Sequence, residues 1–408
     1  MSKEKREGDK SSIKLGPDLL ALLSKFTEIE LEDVELEIGD LEITIQPSML
    51  MSIPVAAPPK EVPVLEKVKP LELLGAEFKV PKGEYLGQIV EVKLGATKKE
   101  GGTRGSSIIV GGEKVPAYYL FDGPVVHSPI IAFDVFDKPP SLARAMKAPF
   151  EDVLNDPAAW AKRCVEKFGA DMIQLHLTSI DPLWMNTSPQ DAAKTVENVL
   201  QAVDVPLAVG GCGDPSKDLQ VFEKVAEVAE GERLLINSVT LNMDIKRMAQ
   251  MVKKHGHTVI AFTSMDMALA RELNRKLYDF LPKEDIVIDT TTAALGYGLD
   301  YAFTIMERVR LAGLMGDAEL QHPMASGTTN AWAAREAWMR MDPKWGPREL
   351  RGPIWETVTA LTLLLAGVDW FMMFHPAAVK TVKEVIKDFT SGKKASPEKL
   401  ANWITVKI

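Results

Sequence analysis

At residues 130–140 the chain reads IIAFDVFDKPP. Ile130–Val135 is a strand-like apolar run, and it passes through Asp137 into Pro139 and Pro140. An open doubly wound sheet would put a glycine-rich phosphate loop after its first strand, and that signature is missing here. Similar runs recur downstream at Met172–Leu177, Leu207–Val209, Leu234–Ser238, Thr258–Thr263, Ile286–Asp289, His322–Ala325 and Trp370–Phe374. Between them lie Asp156–Phe168, Gln190–Val203, Asp218–Ala229, Ile245–His255, Met267–Phe280, Asp300–Leu314 and Ile354–Ala366, with apolar residues three and four apart. Short apolar runs alternating with amphipathic helices signal a parallel sheet. The pattern therefore predicts an α/β protein built on a (β/α)8 TIM barrel.

Working outward, the barrel takes residues 126–408 and residues 76–125 form a β-rich lead-in, with strand-like Gly87–Leu94 and Ser106–Ile109 between glycine-rich turns. Residues 51–75 read as a stiff linker, because Pro54, Pro58, Pro59, Pro63 and Pro70 interrupt any apolar period. Residues 1–50 read as a small α+β extension, with a helix-like run at Asp18–Phe26 and an alternating one at Val34–Gln46.

With 408 residues, 46% of them apolar, the chain can bury a full-size core and carry an appendage. Its net charge of -9, from 57 acids against 48 bases and with no long basic run, argues against nucleic acid as a partner. The opening MSKEKREGDKSS is not followed by the apolar core of a signal peptide, and runs such as Leu361–Gly367 are far shorter than the ~20 residues that span a bilayer. The expectation is a cytoplasmic protein without a membrane partner. Cys164 and Cys212, each placed inside a barrel element, make no disulfide framework and are too few for an iron-sulfur cluster.

In such barrels functional groups sit where strands run into the loops that follow. Strand one ends near Asp134 and Asp137, strand two at Thr178 and Ser179, strand four at Asn237, Ser238 and Thr240, and strand five at Thr263, Ser264 and Asp266. Strand six leads into Asp289, Thr290, Thr291 and Thr292, then Gly296, Tyr297 and Gly298. Strand seven leads into Ser326, Gly327, Thr328, Thr329 and Asn330, and strand eight ends at His375 and Pro376. Hydroxyls, amides and glycines dominate this rim, and strong acid-base groups are few. Such groups suit a ligand edged with amides and phosphate, which glycine lets approach. Thr290, Thr291, Thr292, Gly296, Tyr297, Ser326, Gly327, Thr328, Thr329, Asn330 and His375 are the expected cofactor contacts. The competing reading is that these residues cap helices and close turns, as Asp266 and Asp300 are placed to do.

His255 and His257 have the H-x-H spacing that some barrel hydrolases use for zinc, but they precede strand five on the stability face and read as solvated loop. His176, inside strand two, reads as a satisfied core or interface histidine, and His322, opening strand seven, likewise. His375 is well placed, and one histidine makes no metal site. Neither Cys164 nor any serine sits in a nucleophile elbow beside a base. Asp134, Asp266 and Asp289 could form an acid-base pair or simply bind loop N–H groups. No catalytic residue and no metal ligand is assigned.

Several longer stretches carry a resemblance: Lys93-Leu-Gly-Ala-Thr-Lys-Lys-Glu-Gly-Gly-Thr-Arg-Gly105, Ala132-Phe-Asp-Val-Phe-Asp137, Asp156-Pro-Ala-Ala-Trp160 and Cys164-Val-Glu-Lys-Phe-Gly-Ala-Asp171. Val209-Gly-Gly-Cys-Gly213 and His322-Pro-Met-Ala-Ser-Gly-Thr-Thr-Asn330 continue it. From about residue 80 onward the chain resembles the small subunit of the corrinoid iron-sulfur protein, the delta subunit of the archaeal acetyl-CoA decarbonylase/synthase complex. Residues 1–75 resemble the extension of the archaeal members.

The resemblance implies a barrel paired with a large (gamma) subunit that holds the iron-sulfur cluster and most of the site for a corrinoid (cobamide). The shared cofactor would lie between that partner and the strand-exit face, as a methyl carrier between methyl-tetrahydropterin and acetyl-CoA synthase. Acetyl-CoA synthase and CO dehydrogenase subunits, and a methyl-tetrahydropterin methyltransferase or its substrate, are the further partners implied. The chain itself would cap the cofactor, with no iron-sulfur cluster of its own. No D-x-H-x-x-G stretch occurs to supply a lower cobalt ligand. The rival reading is a pterin-binding barrel methyltransferase, with Asp134, Asn237 and Asp289 holding the pterin ring; a metal-dependent barrel hydrolase lacks its ligand set.

Overall fold

A computed structural model describes residues 83–391. The expected extension (1–50), the linker (51–75) and the start of the lead-in lie outside the described residues, as do residues 392–408.

The lead-in supplies a short antiparallel pair, β1 (Val92–Leu94) and β2 (Ile108–Val110), smaller than the runs expected at Gly87–Leu94 and Ser106–Ile109. Eight parallel strands follow: β3 (Ile130–Phe136), β4 (Met172–His176), β5 (Leu207–Gly210), β6 (Leu235–Val239), β7 (Thr258–Phe262), β8 (Ile286–Asp289), β9 (Ala325–Gly327) and β10 (Trp370–Met373). The helices after them are α1 (Pro157–Phe168), α2 (Pro189–Ala202), α3 (Pro215–Val228), α4 (Ile245–His255), α5 (Met267–Tyr278), α6 (Leu299–Leu314), α7 (Arg348–Leu365) and α8 (Pro376–Thr390). The strand order is β8-β7-β6-β5-β4-β3-β10-β9. The seam between β8 and β9 is closed by a parallel bridge, Ile288 to Met324, and by the Ile288 N–H donating to the Pro323 carbonyl at 2.9 Å. The ring is the (β/α)8 barrel that the sequence pattern predicts.

The helix starts follow from local chemistry. Asp156, Ser188 and Asp214 each accept hydrogen bonds from the first turn of their helix, and a proline follows each at the first helical position, where its missing N–H costs nothing. Gly169 and Gly256 end α1 and α4 in the left-handed conformation that a side chain disfavours. Asp266 caps α5 as expected. Asp300 does not cap α6: Gly298 holds that position, and Asp300 sits in the first turn.

Two strand and helix limits differ from expectation. The seventh barrel strand begins at Ala325 and not at His322, because Pro323 has no N–H for the ladder. Helix α7 starts at Arg348 and not at the expected Ile354, and carries Pro353 within it. Cys212 also lies outside any element, in the loop after β5.

Alternation along the strands sorts the core into two shells. Ile131, Phe133 and Val135 face the helices with Ile173, Leu175, Val209 and Ile236. Ala132, Met172, Ala208, Leu235, Ile260, Val287, Ala325, Trp370 and Met372 fill the barrel interior. Val92, Leu94 and Val110 belong to this inner cluster. Gly95 N–H donates to the Arg233 carbonyl and Arg233 donates back to the Lys93 carbonyl, so the hairpin is tied to the entry of β6 and stoppers the barrel at its strand-entry end. The opposite end is left for function. Among the described residues, no helix is long and apolar enough to cross a membrane.

Candidate functional site at the barrel mouth

Two residues beyond the apolar plug, the same alternation turns a polar layer inward. Asp134 lies two residues beyond Ala132, Gln174 two and His176 four beyond Met172, Asn237 two beyond Leu235 and Asp289 two beyond Val287. Their contacts fit one shared space. The Asn237 amide donates to Gln174 Oε1 at 3.2 Å and reaches across the barrel to Met372 Sδ at 3.3 Å. Thr329 donates its hydroxyl to Asp134 Oδ2. His176 Nε2 stands 3.0 Å from Asp134 Oδ1, and neither atom makes a hydrogen bond to any other group in the chain. The His176 ring stacks on Phe136, with centroids 5.0 Å apart. On Gly210, a Cβ would come within 2.8 Å of Gln174 Nε2, so glycine leaves the space that the amide occupies. The peptide joining Asn237 to Ser238 at this layer is cis.

A family profile described as the CO dehydrogenase/acetyl-CoA synthase delta subunit matches residues 91–341. The acetyl-CoA decarbonylase/synthase complex subunit delta of Archaeoglobus fulgidus is 53% identical over 89% of this chain and 82% of its own length. The chain belongs to the CO dehydrogenase/acetyl-CoA synthase delta-subunit family. A delta 1 subunit of Methanosarcina thermophila is 50% identical over 86% of this chain and 83% of its own. The delta subunit of Methanocaldococcus jannaschii is 44% identical over 91% and 92%. A solved dihydropteroate synthase from Xanthomonas albilineans aligns with 65% of this chain and 94% of its own at 16% identity, with a TM-score of 0.47.

In this delta-family barrel the expected rim residues do not form one cluster. Thr292, Ser326, Thr328 and Asn330 come together: the Thr292 and Ser326 hydroxyls are 2.8 Å apart, Ser326 and Thr328 3.0 Å, and Asn330 donates to the Thr292 carbonyl at 3.1 Å. They stitch the exit of β8 to that of β9. Thr291 sits at a φ of 75° and donates to the Thr263 carbonyl, while the buried Thr290 hydroxyl has no partner. Gly327 and Thr329 border the polar layer itself. Gly296 and Tyr297 stand apart, in a turn with the tyrosine in solvent. His375 caps α8, accepting from Ala377 N–H, and burial pushes its pKa down to about 4.

The rim is richer in acids and bases than its sequence suggests. Burial lifts the Asp289 carboxyl to about 7, against the opposing pull of the Thr291 N–H. Glu356, from the middle of α7, is also lifted by burial to about 7, although it accepts from Trp332 Nε1 at 3.0 Å and from the backbone N–H groups of Phe374 and His375. Sequence reading misses Glu356, Gln174 and the role of His176, which is the last residue of β4 and faces the mouth. Only the apolar-to-polar step along each strand could have pointed to Gln174 and His176.

The other histidines are structural. His255 and His257 lie on the strand-entry side as expected but are buried, not solvated. His257 accepts from Leu234 N–H at 3.2 Å and faces the Ala226 carbonyl at 3.3 Å. His322 is held between the Tyr278 hydroxyl and the Ile286 carbonyl. Asp137 organises a loop, taking hydrogen bonds from Ser179 and Thr178. Among the described residues, no three His, Cys, Asp or Glu side chains are grouped to hold a metal ion.

Proposed function

We propose that this chain is the small subunit of a corrinoid iron-sulfur protein, and that its barrel mouth caps a corrinoid held together with a large iron-sulfur subunit. Membership of the delta family supports the setting, a complex that also contains acetyl-CoA synthase and CO dehydrogenase subunits and works in the cytoplasm. The observation that carries the capping role is the polar layer above a stoppered barrel. Its buried Thr290 Oγ1 has no hydrogen-bond partner within the chain, and Asp134 Oδ1 and His176 Nε2 face each other at 3.0 Å with neither committed to a hydrogen bond. A corrin ring is edged with amides, which donate to a carboxylate and accept from an imidazole N–H or a hydroxyl, so these groups fit it. A bound corrinoid would supply a cobalt nucleophile for methyl transfer between methyl-tetrahydropterin and acetyl-CoA synthase, with Asp134, His176 and Thr290 as the residues that would hold its edge. This chain's residues orient the corrin edge and exclude water from it.

The test is co-production with the large subunit. The chain made alone is expected to be colourless and free of iron, and to retain corrinoid weakly until the large subunit is added. A stable monomer with no affinity for that partner overturns the proposal.

One observation favours a second reading, a pterin-binding barrel that hands a methyl group to a corrinoid protein. Asp134, Asn237 and Asp289 all belong to the inward layer, and paired carboxylate and amide contacts suit a pterin ring. Tight tetrahydropterin binding by the isolated chain, with turnover on added cobalamin, selects this reading.

A further inference from the structure

We infer that two apolar knobs on opposite sides of the mouth, Leu183-Trp184-Met185 and Tyr297 with Tyr301, clamp a folded protein domain that spans it. The inference rests on the capping role proposed above and names where the cofactor-bearing partner grips.

Leu183 is 96% exposed, Trp184 52% and Met185 49%, three consecutive large apolar side chains in the loop after β4. That loop is fixed and not floppy. Leu183 N–H donates to Asp181 Oδ1 at 2.8 Å, the N–H groups of Trp184 and Asn186 donate to the Asp181 carbonyl at 3.0 and 2.9 Å, and Lys217 holds the Asn186 side chain at 2.8 Å. On the other side Tyr297 is 59% exposed and Tyr301 68%, their N–H groups donating to the Ala294 and Gly298 carbonyls at 2.8 and 3.0 Å. Pre-ordered aromatic anchors lose little entropy on binding, and exposed Trp, Tyr and Met are the residues that dominate protein interfaces.

The strand order places the knobs. From β8 to β4 is four steps in either direction around the closed ring, so the two loops are diametrically opposed. Eight strands at ~4.8 Å spacing and ~36° tilt make a ring about 15 Å across, and loop tips flare beyond that. A small ligand does not bridge both knobs; a protein domain does. Charge selects among macromolecules. Residues 290–301 carry one charged side chain, the exposed Asp300 between the two tyrosines, and residues 177–188 carry only Asp181, whose carboxylate is used within the loop, while Lys217 beside it is bonded to Asn186. An anionic lipid surface would call for basic neighbours, whereas a neutral apolar protein surface would not.

The test measures the affinity of the full chain for the large iron-sulfur corrinoid subunit. Trp184→Ser and Tyr301→Ser are each expected to weaken it at least about tenfold, and the double variant about a hundredfold, with unchanged thermal midpoints. Leu365→Ser, an exposed residue at the far end of α7, is expected to change nothing. Unchanged affinity in either single variant overturns the clamp while leaving the capping role standing. Wild-type chain that does not bind the large subunit overturns both. Two further results also overturn the clamp: a wild-type self-dimer that Trp184→Ser dissolves by light scattering, or a Trp184 fluorescence shift on vesicles of phosphatidylcholine and phosphatidylglycerol.

Discussion

Asp134 Oδ1 and His176 Nε2 face each other at 3.0 Å across adjacent strands, while the other oxygen of Asp134 takes the Thr329 hydroxyl. One carboxylate thus joins the exits of β3, β4 and β9. Replacing it with alanine leaves the part-buried Thr329 hydroxyl with only the Met372 carbonyl, 3.4 Å away, as an acceptor, at a cost of about 0.5–1.5 kcal/mol. Asp134→Asn keeps an acceptor for Thr329 and is expected to retain most of that stability. Thermal unfolding of the two variants distinguishes them; equal losses would show that the Thr329 contact contributes little.

Asp289 gives a pH signature. Its carboxyl is raised from 3.8 to about 7 by burial, so the folded state favours the protonated form. The stability it contributes is complete below pH 3.8 and is lost as the pH climbs through about 7, by up to about 4 kcal/mol. Asp289→Asn removes that loss. Relative to wild type, the variant is expected to gain stability between pH 5 and pH 7.5, read as a difference in unfolding midpoint. A gap between the two proteins that does not move with pH contradicts this account.

The barrel interior is sensitive to volume. Trp370 is fully buried, and its indole N–H points at Met172 Sδ, 3.3 Å away on the other side of β3. Trp370→Ala is expected to cost about 3–5 kcal/mol, because neighbours fixed to strands cannot collapse into the space. Trp370→Phe should cost markedly less. Comparable losses for both, measured by denaturant unfolding, would place the contribution in the N–H contact and not in the filled volume.

Much of the scaffold is legible locally. Cap-and-proline pairs such as Asp156-Pro157 and Asp214-Pro215 announce helix starts, and the alternation of Ala132 with Asp134 announces which face meets the mouth. What escapes is set by contacts between distant residues. Thr329 and Asp134 are 195 positions apart, and Glu356 meets residues 24 and 19 positions away from the middle of a helix that reads as ordinary. His255 and His257 look solvated because nothing nearby in sequence reveals that both are buried, His257 against the Ala226 carbonyl of α3. The hydroxyls after β8 and β9 invite assignment to a ligand, yet Thr292, Ser326 and Thr328 satisfy one another.

Glu356 ties two exit loops together through Trp332, and Gly352 makes that possible. A Cβ at position 352 would fall 2.1 Å from the Trp332 ring, one helical turn before the carboxylate that holds the indole N–H. Rigid and almost fully buried, the indole cannot swing aside. Gly352→Ala must therefore push Trp332 away from Glu356, leaving a buried acceptor one donor short and straining the core, together about 2–4 kcal/mol. The intrinsic preference of a helix for alanine over glycine, about 1 kcal/mol, works in the opposite direction and is too small to cancel this. The expected result is a lower unfolding midpoint with a shifted Trp332 environment in near-ultraviolet circular dichroism. A Gly352→Ala protein as stable as wild type would mean that α7 slides to admit the methyl group and that the Trp332 to Glu356 contact is not what fixes the β9 and β10 exits.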